Sequence, residues 1–454
     1  MKRILAFMLM LILIMTSAPV SYGQPQTLSL IAKSAILIDA KTGEILYEMN
    51  SHQPLYPAST TKMLTGILAL ENLEMDELVP IDAETPFTEG SRIYLLEGEQ
   101  ITVRDTLYGL LLESANDAAV ALAKMISGSV RDFSVLMNAK AQEVGALNSN
   151  FVNPNGLHDD EHLSTAYDMA MIAKYAMENP VFRDYVETYQ YTVAATNKQE
   201  TRYLYNTNRL LYDNKNKVYV DDVLRGCKYD GVTGIKTGYT SKAGGCLVAG
   251  AKRGETELIA VVLGSTDMGR FADSIALLDY GFANFKTVKI MKAGSPLGTV
   301  QVKRGAVRQV EVATGEESYA TLPIEASEHI LRTEVLLEEY LHAPVKLGQK
   351  AGIVQVFAGE ELLGEFAAVA LEDIEEGGLL SVVGIEDGTA NIIRNVVFGI
   401  MAALILALIL YIMFKRRQIK RKKLLRQQLA EQASKKRELE RARWEEQYKG
   451  GRSY

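Results

Sequence analysis

Ser59 and Lys62, in Pro57-Ala58-Ser59-Thr60-Thr61-Lys62, form the one Ser-x-x-Lys of the chain. A serine hydroxyl is a weak nucleophile until a base takes its proton. Three residues apart at a helix start, the two side chains share a face. The lysine serves as that base once burial or a neighbouring cation makes it neutral. Backbone N–H groups at the helix N-terminus favour the negative charge that develops on the substrate. Taken alone, the pattern is better explained by an N-capping serine beside a surface lysine.

Two further patterns follow in order. Ser114-Ala115-Asn116 is the one Ser-x-Asn of the chain, and Lys236-Thr237-Gly238 lies within Val232–Tyr239, which reads as a strand. On a strand, a lysine and a hydroxyl face a substrate carboxylate, while glycine lets another backbone approach. Lys41-Thr42-Gly43 repeats the third pattern. It precedes Ser59 and lies between two short apolar runs, so it is expected to be a hairpin turn without a catalytic role.

As an ordered set, the three patterns resemble the active-site signature of penicillin-binding proteins and class A β-lactamases. Ser34–Leu64, Phe151-Val152-Asn153-Pro154-Asn155-Gly156-Leu157 with Thr165-Ala166, and Gly234–Arg253 resemble the low-molecular-mass D-alanyl-D-alanine carboxypeptidases more closely. The resemblance implies that Ser59 is acylated and that Lys62 is its base. Ser114 and Asn116 would handle proton transfer and hold the substrate's peptide bond. Lys236 and Thr237 would bind its terminal carboxylate, with Gly238 beside them and Arg270, in Met268-Gly269-Arg270, facing substrate. Backbone N–H groups of Ser59 and Tyr239 would form the oxyanion hole. The implied partners are a peptidoglycan stem peptide ending in D-Ala-D-Ala and β-lactam antibiotics. No cofactor and no metal are implied.

Rival readings fit less well. A class A β-lactamase places a glutamate to activate the deacylating water, and no Glu-x-x-Leu-Asn occurs between Ser114 and Lys236. In His158-Asp159-Asp160-Glu161-His162 the histidines are four apart, but aspartate stands where the helical zinc-peptidase motif has glutamate. That stretch reads as a solvated turn. A non-catalytic sensor of wall fragments or β-lactams is compatible with the carboxy-terminal tail, which carries no recognisable signalling motif. A D,D-endopeptidase would use the same residues.

The elements that must position these groups follow from periodicity. Ser34–Asp39 and Glu44–Asn50 read as a hairpin. Helices are expected over Thr60–Leu73, Thr106–Leu112, Ala118–Ile126, Arg131–Val144, Ala166–Met177 and Arg270–Phe285. Val232–Tyr239, Gly245–Lys252 and Leu258–Gly264 read as three strands with tight turns. Early strands, helical middle and late strands predict an α+β domain. An antiparallel sheet would be built from both ends of the segment and covered by helices, over residues 24–286. Short alternating runs predict a small β-rich domain over residues 287–385, resembling the carboxy-terminal domain of the same family.

Charge and hydropathy place the chain at a membrane. Residues from Lys415 onward hold fifteen Lys/Arg against five Asp/Glu, leaving −17 on the remainder of a chain whose net charge is −7. An acidic body repels phosphates, which argues against nucleic-acid binding. Met1-Lys2-Arg3 and the apolar run Ile4–Met15 read as a secretory signal cleaved after Gly23. Val396–Phe414 is uncharged, long enough to span, and followed directly by Lys415-Arg416-Arg417 and Lys420-Arg421-Lys422-Lys423. A body outside the membrane and a tail, residues 415–454, in the cytoplasm are expected. Relatives in this family often attach through an amphipathic helix instead. Cys227 and Cys246 are the only cysteines, and sequence leaves their pairing open.

Overall fold

A computed structural model describes residues 28–449. The expected signal segment, residues 1–23, lies outside the described residues. Compactness divides the chain into two units, one of residues up to 293, 316–334 and 354–366, the other of 294–315, 335–353 and 367 onward.

The first unit is built on a five-stranded antiparallel sheet of β1 (Ser34–Asp39), β2 (Ile45–Met49), β3 (Val232–Thr240), β4 (Gly244–Arg253) and β5 (Thr256–Ser265). Its order is β2-β1-β5-β4-β3, so strands from both ends of the segment meet at the β1–β5 pair, with Ser34 opposite Leu263. Side chains alternate across each strand, and here both faces are buried. Ile36, Ile38, Val248, Val261 and Leu263 join one core, while Ala35, Leu37, Leu247, Ala260 and Val262 join another. That is why β4 and β5 read as nearly unbroken apolar runs.

The first core is completed by α1 (Lys62–Asn72), α2 (Val103–Leu111), α3 (Asn116–Ser127), α4 (Val130–Glu143), α5 (Ala166–Glu178) and α6 (Pro180–Glu187). The opposite face is covered by α7 (Gly269–Asn284), through Phe271, Ile275, Leu277 and Leu278. Thr102, Ser129 and Thr165 cap α2, α4 and α5 by accepting from the N–H of Asp105, Asp132 and Asp168. Asp273 of α7 accepts from Ile31 N and Ala32 N, both at 2.9 Å.

All six helices expected from periodicity stand within a few residues of their expected ends. The short helix Pro180–Glu187 and the hairpins Gln190–Val193/Arg202–Tyr205 and Lys217–Val220/Val223–Gly226 were not anticipated. Their strands of four residues are too short for a period to declare itself. Lys41-Thr42-Gly43 forms the β1–β2 turn, tied by Asp39 Oδ1 accepting from Lys41 N and Thr42 N. It sits at the sheet edge opposite β3. Cys227 and Cys246 are free and buried in different cores.

The first unit extends past residue 287. Strand Phe285–Met291 pairs with Ser318–Pro323. Thr287 and Thr321 hydroxyls also donate to the buried Asp39 carboxylate, which holds both strands in this unit.

In the second unit, strands Pro296–Lys303 and Gln309–Thr314 form an antiparallel pair. Tyr340–His342 lies parallel to Gln301–Lys303, and Ala368–Ala370 pairs with Val312–Thr314. Val300, Val302, Val310, Val312, Leu341 and Ala368 are among its core residues. The unit continues into α8 (Asp387–Lys449), one unbroken helix of 63 residues. Its apolar window has a mean hydropathy of 2.9 and is long enough to cross a membrane.

Candidate active site

Ser59 lies in a short 3-10 turn, Ala58–Thr61, that leads into α1. Ala58 adopts φ 50°, a left-handed conformation unusual for a side-chain-bearing residue. The turn is held from two sides. On one, the Asn153–Leu157 loop is closed by Gly156 N and Leu157 N donating to Asn153 Oδ1 and Asn155 Oδ1. A Cβ on Gly156 would come within 1.8 Å of Ala58 O, so only glycine admits the approach. On the other side is β3, whose Gly238 is so close that a Cβ there would sit 3.1 Å from Ser59 N.

Lys62 Nζ stands 2.9 Å from Ser59 Oγ and donates to Asn155 O at 2.7 Å. The lysine is fully buried, whereas Ser59 is partly open to solvent. Burial first, and then the Lys236 charge, hold the Lys62 amine well below its usual value, with Asp117 opposing. A neutral amine has one lone pair. With an N–H committed to Asn155 O, that lone pair is available to the serine hydroxyl.

Ser114 sits on the turn that opens α3, buried, with φ 59°. Its hydroxyl makes no hydrogen bond among the described residues, so the structure ties it to neither Ser59 nor Lys62 directly. Asn116 is anchored at both ends. Its N–H donates to Ser91 O and its side-chain Nδ2 to Glu89 O, both at 2.6 Å. That leaves Asn116 Oδ1 buried without a partner, an acceptor free for an incoming N–H. Asp117, the next residue, holds the same loop by accepting from Ile93 N and Leu95 N.

On β3, an edge strand, Lys236 is buried and its Nζ donates to Thr237 O at 3.0 Å. Burial, and then the Arg270 charge, bring it down to about 7, against Glu113. The Thr237 hydroxyl shares a 2.6 Å hydrogen bond with Thr207. Arg270 donates to Gly238 O and Asp267 Oδ1, each at 2.7 Å, so it supports the strand. Tyr239 is exposed, opposite Gly245 of β4.

Asn155, Asp117, Thr207 and Gly156 receive no role from sequence alone. Only the Asn-Pro-Asn-Gly turn signal and the acid after Ser-x-Asn hinted at three of them. The two histidines weighed as zinc ligands part company. His162 accepts from Val152 N through Nδ1 and meets Thr61 Oγ1 at 2.9 Å through Nε2, while His158 packs edge-on against Tyr56. Among the described residues no cluster of three metal-ligating side chains occurs.

Comparison with known proteins agrees with this arrangement. Residues 20–267 match the family described as D-alanyl-D-alanine carboxypeptidase, and residues 285–376 the family described as penicillin-binding protein 5, C-terminal domain. The chain is 35% identical to D-alanyl-D-alanine carboxypeptidase DacF of Bacillus subtilis, over 84% of this chain and 97% of that one. It is 32% identical to DacC of Escherichia coli, over 80% and 89%. Penicillin-binding protein 5 from Haemophilus influenzae superposes with a TM-score of 0.62 at 30% identity, over 78% of this chain and all of that one. Sequence, site geometry and relatives converge: the chain belongs to the serine D-alanyl-D-alanine carboxypeptidases, the low-molecular-mass penicillin-binding proteins.

Proposed function

We propose that Ser59 is the acylated nucleophile of a carboxypeptidase that removes the terminal D-alanine from peptidoglycan pentapeptide stems. The observation carrying this is the buried Lys62 amine, 2.9 Å from Ser59 Oγ and oriented by Asn155 O. Neutral Lys62 takes the Ser59 proton as Oγ attacks the carbonyl of the penultimate D-alanine. Backbone N–H groups of Ser59 and Tyr239 receive the oxyanion. Asn116 Oδ1 accepts from the substrate's peptide N–H, and protonated Lys236 with Thr237 pairs the terminal carboxylate. Ser114 relays the proton from Lys62 to the leaving amine, D-alanine departs, and water then hydrolyses the ester with Lys62 again as base. A β-lactam enters the same path, but its cleaved amide stays tethered and the ester persists.

This work lies outside the cell. The reading that Val396–Phe414 spans the membrane, with residues 24–395 outside and 415–454 in the cytoplasm, is supported by the apolar window of α8 and its basic continuation. Residues 1–23 serve as the export signal. The test is incubation of the purified protein with a pentapeptide muropeptide and mass analysis of the products. Loss of one alanine residue is expected. Cleavage confined to crosslinked dimers, with pentapeptide monomers untouched, would replace this activity by an endopeptidase.

A further inference from the structure

The second unit has no part in the chemistry above, yet one of its faces is built from two kinds of side chain that rarely adjoin by chance. A cavity of about 390 Å³ is lined by Lys303, Arg304, Arg308 and His342, with Ser381 and Gly384 on its other wall. The Arg308 guanidinium comes within 3.8 Å of where a side chain on Gly384 would begin. Lys303 lies over the Tyr340 ring. Among the described residues, Lys303, Arg304 and Arg308 have no carboxylate within ion-pair distance of their head groups. Glu386 is committed nearby to Arg308 N, and Asp387 to Gly378 N. This is a cationic concavity whose head groups form no ion pair, in a body that carries −17, with Glu375 and Glu376 on the segment paired with Gly305 and Ala306.

Beside it, the 3-10 turn Leu379–Val383 presents Leu379, Val382 and Val383 to solvent at 95%, 64% and 72% exposure. The chain then enters α8 at Asp387. From Asp387 to Val396, where the uncharged span begins, is nine residues, about 14 Å of helix rise. The headgroup layer on each side of a bilayer is about 5–8 Å deep. The start of α8, with the turn and the cavity beside it, therefore stands just outside the headgroup layer when α8 spans.

We infer that this face docks on the anionic surface of the membrane that α8 crosses. Lys303, Arg304 and Arg308 take lipid phosphate, and Leu379, Val382 and Val383 press into the headgroup layer. Apolar insertion combined with cation–phosphate pairing is the recognised physics of interfacial binding. The inference rests on the membrane-spanning reading of α8.

Full-length protein carrying Val383→Cys would be labelled with a polarity-sensitive fluorophore; the native cysteines are buried. It would then be reconstituted in vesicles of phosphatidylcholine alone or with one-third phosphatidylglycerol. A blue shift is expected with phosphatidylglycerol and not with phosphatidylcholine. It should be at least halved by Arg308→Gln with Arg304→Asn, asparagine being tolerated at the φ of 61° found at Arg304. Unchanged penicillin labelling of Ser59 would show that the double variant is folded. A water-like emission in both lipids, or a shift indifferent to the double variant, overturns the inference. So does its loss on adding millimolar inorganic phosphate at constant ionic strength, which would mark a free-phosphate site. Resistance of the reconstituted protein to alkaline extraction is read separately. Its failure would sink the membrane-spanning reading itself.

Discussion

Lys62 and Lys236 are both buried lysines, and the proposed chemistry asks opposite things of them. Lys62 must lose its proton to act as base, while Lys236 must keep one to hold a carboxylate. Burial and the neighbouring Lys236 charge depress Lys62 strongly, whereas Lys236 comes down only to about 7. Activity against a free-acid substrate should therefore rise as Lys62 deprotonates and fall above about pH 7 as Lys236 becomes neutral. Lys236→Arg should move the alkaline limb of kcat/KM upward, because guanidinium stays charged. An unmoved limb would assign the fall to another group. Amidated substrates should lose the charge-assisted bonds, worth roughly 1.5–3 kcal/mol each, and equal cleavage of acid and amide would show that no clamp exists. At the nucleophile, Ser59→Ala should abolish covalent labelling by a fluorescent penicillin with the fold intact. Lys62→Ala should slow labelling by several orders of magnitude. Peptide mapping of the adduct to another serine would sink the assignment.

The Ser59 turn works only because three separate elements close on it: α1 behind, β3 on one side and the Asn153–Leu157 loop on the other. Gly156→Ala adds a left-handed penalty of about 1–2 kcal/mol to a backbone collision that no side-chain rotation relieves. The loop must retreat and draw Asn155 O away from Lys62. Penicillin acylation should slow at least tenfold and Tm should drop several degrees; wild-type rates would show that the loop does not orient the base. The same loop is pinned by His162, whose ring burial pushes down to about 4 from the usual 6.5. Val152 N donates to Nδ1, so the neutral ring carries its proton on Nε2 and donates to Thr61. Between pH 6.5 and 4 the unfolded ring binds a proton that the folded one refuses. Stability from this residue is therefore complete above pH 6.5 and is lost as pH falls through that window, by up to roughly 3 kcal/mol. Urea unfolding of His162→Gln should show a shallower acid slope than wild type.

The catalytic reading also depends on where the molecule stands, since stem peptides are reached only from outside the membrane. With α8 spanning, protease added to wall-free cells should digest the body and leave a protected fragment bearing a tag placed at Tyr454. Digestion of the tag with the body intact would reverse the topology and end the extracellular reading. Neutralising the seven Lys/Arg between Lys415 and Lys423 should disturb orientation more than activity. The single helix through Lys449 differs from a short span followed by a separate tail helix. Its basic continuation contains no Pro or Gly before Gly450 that would interrupt it.

What the sequence determined alone were the features carried by local order: Ser59-x-x-Lys62, Ser114-x-Asn116 and Lys236-Thr237-Gly238 in series, the periods of the long helices, and the apolar runs of β4 and β5. These are legible because residue spacing along one helix or strand sets which side chains share a face. It also separated the two Lys-Thr-Gly copies, since a turn and a strand differ in their flanks. Tertiary structure alone decided which groups act on Lys62 from a distance. Asn155 is 93 residues away in sequence, and Lys236 and Asp117 come from other elements. No local pattern encodes such neighbours. The Ser59 turn is held by Gly156 and by Gly238 of β3, residues far from it in sequence that only the tertiary fold brings against it.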